Sequence, residues 1–156
     1  MPTPDLLDSD KEHTLLLVKP DGFSRGLTGE VLRRIEAKGY VLKGLKIKVA
    51  SESLLGEHYE EHKGRSFYPA MINYMMAGPV VAAVVEGDRV IEGVRNIVGA
   101  TNPTLAAAGT IRGDLGRDWG TEVVENVVHA SDSETSAIRE IALWFPELGY
   151  QDDALA

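Results

Sequence analysis

The chain has 156 residues, of which 44% are hydrophobic, so it is long enough for one domain with a single core. Its 16 lysines and arginines are outnumbered by 24 aspartates and glutamates, and the resulting net charge of -8 disfavours nonspecific binding of DNA or RNA. The absence of cysteine excludes disulfides, thiolate catalysis and zinc–thiolate sites.

The N-terminus and the hydropathy of the chain predict a cytoplasmic protein with no membrane segment, and its net charge predicts no specific nucleic-acid partner. The acidic N-terminus MPTPDLLDSDKE lacks the apolar stretch of a signal peptide. The longest apolar run, at residues 79–85, is far shorter than the ~20 residues that cross a bilayer. We expect a flexible tail over residues 1–10, a single domain over 11–150 and a C-terminal tail over 151–156.

The first half of the domain alternates strand and helix signals. The run HTLLLV at residues 13–18 predicts a buried strand, and Lys19-Pro20-Asp21-Gly22 is a turn signature. Apolar residues at helical spacing predict a helix over residues 28–38, followed by a strand over 40–50 with one solvated face. Two short helices are predicted over residues 53–62 and 67–76.

The second half repeats this alternation around one long loop. We predict a fully apolar strand over residues 79–85, a helix over 88–98, a glycine-bearing loop over 99–121, a strand over 123–130 and a helix over 134–145. The order fits a split βαβ plan with an added helix pair and an insertion before the final strand.

His129 lies where the last predicted strand meets the last predicted helix, and Val127 would share its face of the strand. Glu140 sits at the edge of that helix's apolar stripe, where a carboxylate is costly without a partner. A bond between the two side chains would fix the ring tautomer and leave the other nitrogen as a nucleophile. By spacing alone, a purely structural hydrogen bond is the more frequent case.

Several polar residues around His129 suit a phosphate. Ser131 to Glu134 read SDSE, which fits a capping box with Ser131 as the N-cap, and the helix N-terminus would favour an anion. Lys19, Arg95 and Arg112 are each, taken alone, more often solvated surface charges. Together with His129 they would form a cationic cleft able to hold a polyphosphate.

Four motifs resemble the signature blocks of the nucleoside diphosphate kinase family. They are KPDG at Lys19, TNP at Thr101, GTIRGD at Gly109 and NVVHASDS ending at Ser133, and the similarity spans residues 13–146. The resemblance implies an α+β fold, a ferredoxin-like sandwich whose four-stranded antiparallel sheet is covered by helices in a βαββαβ core. It also implies hexamers or tetramers.

The implied reaction moves the terminal phosphate of a nucleoside triphosphate, mainly ATP, to a nucleoside diphosphate, and so maintains NTP and dNTP pools. In the family, the histidine matching His129 carries the phosphate in a ping-pong mechanism. The glutamate matching Glu140 hydrogen-bonds the ring, the serine matching Ser131 lies nearby, and the tyrosine matching Tyr59 borders the pocket.

The resemblance assigns the remaining residues to the nucleotide. Phosphates would be held by the residues matching Lys19, Arg95, Thr101 and Arg112. The asparagine matching Asn126 would join Lys19 at the sugar hydroxyls, and the phenylalanine matching Phe67 would stack on the base. Mg²⁺ would be carried mainly by the nucleotide phosphates, which leaves no residue as a metal ligand.

The chain departs from the family pattern at three places after the GTIRGD motif. Residues 115–122 form a longer segment than is common, Val124-Glu125 replaces a frequent Gly-Arg, and Ala130 replaces a glycine. Glu125 could weaken the nucleotide site. Two alternatives stay open, a non-catalytic module on the same fold and a phosphohistidine relay to another protein. The other histidines, His13, His58 and His62, match no catalytic motif and are expected to be structural or on the surface.

Overall fold

A computed structural model describes residues 7–149, and within this range the strands form one four-stranded antiparallel sheet in the order β2-β3-β1-β4. The strands are β1 (Glu12–Val18), β2 (Val41–Lys48), β3 (Val80–Gly87) and β4 (Val128–Ala130). The α-helices are α1 (Pro20–Ser24), α2 (Thr28–Ala37), α3 (Glu52–His58), α4 (Tyr68–Met76), α5 (Val90–Val98), α6 (Ile111–Leu115) and α7 (Glu134–Trp144). This architecture confirms the predicted ferredoxin-like α+β fold.

Both faces of the sheet are covered because the two central strands are apolar on both sides. In β1, Leu16 and Val18 pack into a cluster with α2 and α5, whereas Leu15 and Leu17 pack into a second cluster with α3, α4 and α7. Strand β3 is buried from Val80 to Glu86. The result is a two-layered core around one rigid sheet.

Strand β2 forms an edge of the sheet and differs from the other strands in exposure. Its apolar side chains Val41, Leu45 and Ile47 are 50%, 54% and 62% exposed, and Val49 just beyond it is 61% exposed. The predicted solvated face therefore carries apolar rather than polar groups.

The last strand is shorter than predicted, and the expected face-sharing of Val127 and His129 is wrong. Val127 has a φ of 71°, which is outside the extended region, so β4 begins at Val128. The backbone N–H of Val128 donates to the carbonyl of Asn126 at 2.8 Å and closes a three-residue γ-turn. Val127 consequently packs in the same cluster as Val128 and Ala130.

The long loop contains more structure than its composition indicated. Helix α6 begins after Thr110, whose side chain accepts from the N–H of Gly113 at 3.0 Å. Beyond it, the backbones of Arg117 and Glu125 exchange hydrogen bonds of 2.8 and 3.0 Å, closing the long segment into a hairpin. The Glu125 carboxylate accepts from the indole of Trp119 at 3.0 Å.

Two other predicted boundaries change. The helix expected over residues 53–62 ends at His58, and a separate 3-10 turn, Glu60–His62, follows. The Lys19-Pro20-Asp21-Gly22 turn is the start of α1, because proline at the first helical position suits a helix N-terminus.

The structure does not describe residues 1–6 and 150–156, which include most of the predicted N-terminal tail, the last residue of the predicted domain and the whole predicted C-terminal tail. Residues 7–10 are described, and the backbone N–H of Asp8 donates to Glu86 at 2.8 Å. Among the helices of residues 7–149, none has the length and apolar character needed to span a membrane.

Candidate active site

A cleft of about 250 Å³ opens beside the C-terminal end of β4. Strand β4 pairs with β1 so that His129 lies opposite Leu17, which fixes its backbone against the centre of the sheet. The lining residues are His58, Tyr59, Glu61, His62, Arg95, Thr101, Arg112, His129, Ala130, Asp132 and Glu140.

The imidazole of His129 is held by a buried carboxylate. Its Nε2 lies 2.8 Å from Oε1 of Glu140, which is only 5% exposed and projects from α7. With Nε2–H donating to the carboxylate, the lone pair of the neutral ring resides on Nδ1. The predicted contact between these two side chains is therefore confirmed, and the ring offers one nucleophilic nitrogen.

Ser131 fixes this carboxylate rather than capping the helix. Its hydroxyl donates to Glu140 at 2.9 Å and accepts from the backbone N–H of Leu15 at 3.1 Å. The N-cap of α7 is instead Ser133, whose hydroxyl accepts from the N–H of Ser136 at 3.1 Å. The predicted capping box at Ser131 is wrong because that residue is still bonded to β1.

A second histidine, His58, packs edge-on against His129 with ring centroids 4.6 Å apart. Its Nδ1 accepts from the indole N–H of Trp144 at 3.1 Å, so its proton resides on Nε2. Burial, with the adjacent His129 as a smaller cause, lowers the pKa of His58 to about 2. His58 was expected to be structural or on the surface because no motif marks it, and it is a buried, hydrogen-bonded residue that also lines the cleft.

Arg95 and Arg112 line the cleft, and Lys19 lies close enough to Arg112 for their charges to interact. Burial, then the charge of Arg112, lowers the pKa of Lys19 to about 8, and burial, then the charge of Arg95, lowers that of Arg112 to about 10. The guanidinium of Arg112 donates to the carbonyls of Gly99 and Val128 at 3.1 and 2.8 Å, which locks its position. The cleft thus carries the guanidiniums of Arg95 and Arg112 beside three carboxylates, and the two guanidiniums are groups that can bind an anion. The carboxylates are those of Glu61, Asp132 and Glu140.

Lys19, Asn126 and Thr101 form a chain of hydrogen bonds that reaches the cleft at Thr101. The ammonium of Lys19 donates to Oδ1 of Asn126 at 2.9 Å, and Nδ2 of Asn126 donates to the Thr101 carbonyl at 3.0 Å. The structure thus brings together three residues that are distant in sequence.

Aromatic rings also border the cleft. Tyr59 is 8% exposed, and its ring centroid lies 6.1 Å from that of His62, which in turn lies 5.5 Å from Phe67. Phe67 is 37% exposed and lies next to the lining residue His62.

The only group of three or more potential metal-ligating side chains within residues 7–149 is formed by His58, His129 and Glu140. It does not suit a resident ion, because Trp144 already occupies the lone pair of His58 and Mg²⁺ prefers oxygen ligands.

The comparisons with known proteins agree on one family. A family model described as nucleoside diphosphate kinase matches residues 12–149. A nucleoside diphosphate kinase of Streptomyces avermitilis is 52% identical over 136 residues, covering 86% of this chain and 96% of the relative. One from Streptococcus pneumoniae is 51% identical, covering 86% and 99%.

Solved structures give the same result. A nucleoside diphosphate kinase family protein from Babesia bovis matches with a TM-score of 0.79 at 44% identity, covering 88% of this chain and 90% of its own. A halophilic nucleoside diphosphate kinase from Halobacterium salinarum, in complex with CDP, matches with a TM-score of 0.82 at 43% identity, covering 86% and 88%.

Proposed function

The chain belongs to the nucleoside diphosphate kinase family and is an enzyme of that class, and we propose that it works by a ping-pong mechanism through a phosphohistidine at His129. The observation that carries this proposal is the 2.8 Å contact between His129 Nε2 and Glu140. It leaves Nδ1 as the nitrogen with a lone pair at the cleft.

In the first half-reaction, the Nδ1 lone pair of His129 attacks the terminal phosphorus of a nucleoside triphosphate, mainly ATP. The bond from that phosphorus to the bridging oxygen breaks, and the nucleoside diphosphate leaves with the electron pair. The phosphorylated ring carries positive charge, which the Glu140 carboxylate stabilises. In the second half-reaction, a terminal phosphate oxygen of another nucleoside diphosphate attacks the phosphorus and frees Nδ1.

The cations supply alignment and charge stabilisation, which phosphoryl transfer chiefly needs. Lys19, Arg95 and Arg112 would bind the phosphate oxygens, with Thr101 beside them. Mg²⁺ bound to the nucleotide phosphates would neutralise part of their charge.

The rest of the nucleotide would lie along the two sides of the cleft. The amide of Asn126 and the ammonium of Lys19, 2.9 Å apart, would meet the sugar hydroxyls. Phe67 would stack on the base, with Tyr59 at the border of the pocket. Because a single stacking ring discriminates poorly among bases, we expect broad use of ribo- and deoxyribonucleotides, as the maintenance of NTP and dNTP pools in the cytoplasm requires.

The test is phosphoenzyme formation measured by intact mass after incubation with Mg·ATP. Wild type should gain one phosphate that is labile in acid, and His129→Ala should gain none. His62→Asn is the matched control, because it removes another imidazole of the same cleft and should still form phosphoenzyme. Equal phosphorylation of wild type and His129→Ala would refute the proposal.

A second experiment separates the kinase from a phosphohistidine relay. The phosphoenzyme is washed free of nucleotide and mixed with a nucleoside diphosphate. Rapid appearance of the phosphate in nucleoside triphosphate supports the proposed reaction. Phosphate that stays on the protein would favour the relay.

We further propose that copies of the chain associate through β2, as part of a hexamer or tetramer. An edge strand with unpaired backbone groups and exposed apolar residues is a template for pairing with another strand. Light scattering should give an oligomeric mass for wild type and a smaller mass for Ile47→Lys. Trp119→Lys, at another exposed apolar residue, should keep the wild-type mass, and a monomeric wild type would refute the proposal.

A further inference from the structure

Asp21 is a buried carboxylate near the cleft that the reaction described above does not use. It is 6% exposed and lies in α1, directly after Lys19-Pro20. Oδ2 accepts from the backbone N–H of Val127 at 3.1 Å, and Oδ1 accepts from the hydroxyl of Tyr74 on α4. The two oxygens of Asp21 therefore connect α1 to the residue before β4 and to α4.

Val127 is held in a strained conformation. Within residues 7–149 the non-glycine residues with positive φ are Arg89 and Val127, and a branched side chain is especially unfavourable there. The γ-turn with positive φ is the rarer and more strained of the two γ-turn forms. Such a conformation persists only where its surroundings hold it.

The residues after β1 hold this turn with two hydrogen bonds and leave space for it at a glycine. The N–H of Lys19 donates to the Val127 carbonyl at 2.8 Å, and Asp21 accepts from the Val127 N–H. Gly22 leaves room for the turn, because a Cβ there would lie 3.0 Å from the Val127 side chain and 3.1 Å from its carbonyl oxygen. Lys19 and Asp21 thus hydrogen-bond both backbone polar groups of Val127.

The position of this turn in the chain gives it a functional consequence. Asn126 precedes it and bonds Lys19, whereas His129 follows it two residues later. A change at Val127 would move Asn126 relative to His129, and so move the sugar relative to the reacting nitrogen.

We propose that Asp21, assisted by Tyr74, is a positioning residue that holds the γ-turn at Val127 and so sets the distance between the sugar-binding pair and His129. The proposal rests on the function proposed above for Asn126 and Lys19. Asp21 itself touches no substrate.

The experiment compares kcat/KM for a ribonucleoside diphosphate and its 2′,3′-dideoxy analogue, which lacks the hydroxyls that Asn126 and Lys19 would bind. In Asp21→Ala, the ribo to dideoxy ratio should fall about tenfold, the effect of one lost hydrogen bond. Asp21→Asn should restore most of the ratio, because its carbonyl can accept from Val127 while its amide donates to the Tyr74 oxygen.

Tyr74→Phe is the second variant, because it keeps the ring and removes only the hydroxyl. It should lower the ratio about threefold, whereas Tyr68→Phe on the same helix should leave it unchanged. An unchanged ratio in a folded Asp21→Ala protein, or in Tyr74→Phe if the alanine variant does not fold, would overturn the proposal. Failure of wild type to form phosphoenzyme would instead refute the proposed function.

Discussion

Replacing Lys19 with methionine should make the protein more stable while removing its activity. The pKa of Lys19 in the fold is about 8, against an ordinary value of 10.5. Each tenfold change in proton affinity is about 1.4 kcal/mol, so the buried charge costs the folded state about 3 kcal/mol at pH 7. The variant also loses the hydrogen bond to Asn126, which lowers its free energy of unfolding by about 1 kcal/mol. The expected net increase in the free energy of unfolding is therefore about 2 kcal/mol.

The pH dependence distinguishes this cause from better packing. Because the folded pKa lies below the unfolded one, the unfolded chain binds the extra proton between about pH 8 and 10.5. Wild-type stability therefore rises across this window, and the advantage of Lys19→Met should vanish near pH 9.5.

Denaturant unfolding of both proteins at fixed concentration, from pH 7 to 9.5, measures the effect. Lys38→Met, at the exposed end of α2, is the control and should differ little from wild type at any pH. The reasoning is refuted if Lys19→Met is no more stable than wild type at pH 7, or if its advantage does not shrink as the pH rises.

Four further substitutions test hydrogen bonds in and near the cleft. Glu140→Gln should slow phosphoenzyme formation about a hundredfold in rapid-quench measurements, because an amide stabilises the phosphorylated ring less than a carboxylate does. Ser131→Ala should lower the free energy of unfolding by about 2 kcal/mol, because the buried N–H of Leu15 loses its acceptor. Ser133→Ala should lower it by about 1 kcal/mol, because α7 loses its N-cap. Urea unfolding measures both. Arg112→Lys should raise the KM for nucleotide at least tenfold in steady-state assays, because an ammonium cannot hold the carbonyls of Gly99 and Val128 and also face the cleft.

Hydrophobic periodicity predicted the fold well where the burial of an element decides its structure. Strand β1 is apolar on both faces, and α5 carries an apolar stripe, so each was recognisable from its own residues. The boundaries near the cleft were missed because distant contacts set them. Val127 reads as a strand residue, yet the carboxylate of Asp21 in another element stabilises its positive φ.

The pairing of His129 with Glu140 could be predicted because a carboxylate at the edge of an apolar stripe needs a partner. Ser131 shows the limit of such reasoning. Its local pattern fitted a helix cap, but its hydroxyl is bonded to Leu15, which is 116 residues away in sequence. Only the antiparallel pairing of β1 with β4 brings these two residues together.

The hydrogen bond from the indole of Trp144 makes two adjacent imidazoles unequal as acceptors of the proposed phosphate. The lone pair on Nδ1 of His58 accepts the indole hydrogen bond, and its Nε2 carries the proton. Neither nitrogen of His58 therefore has a free lone pair that could attack a phosphorus atom. Mild acid does not change this, because burial lowers the pKa of His58 to about 2 and the ring stays neutral. In the proposed reaction, hydrogen bonding alone would therefore direct the phosphate to His129, although the two histidine rings are in contact.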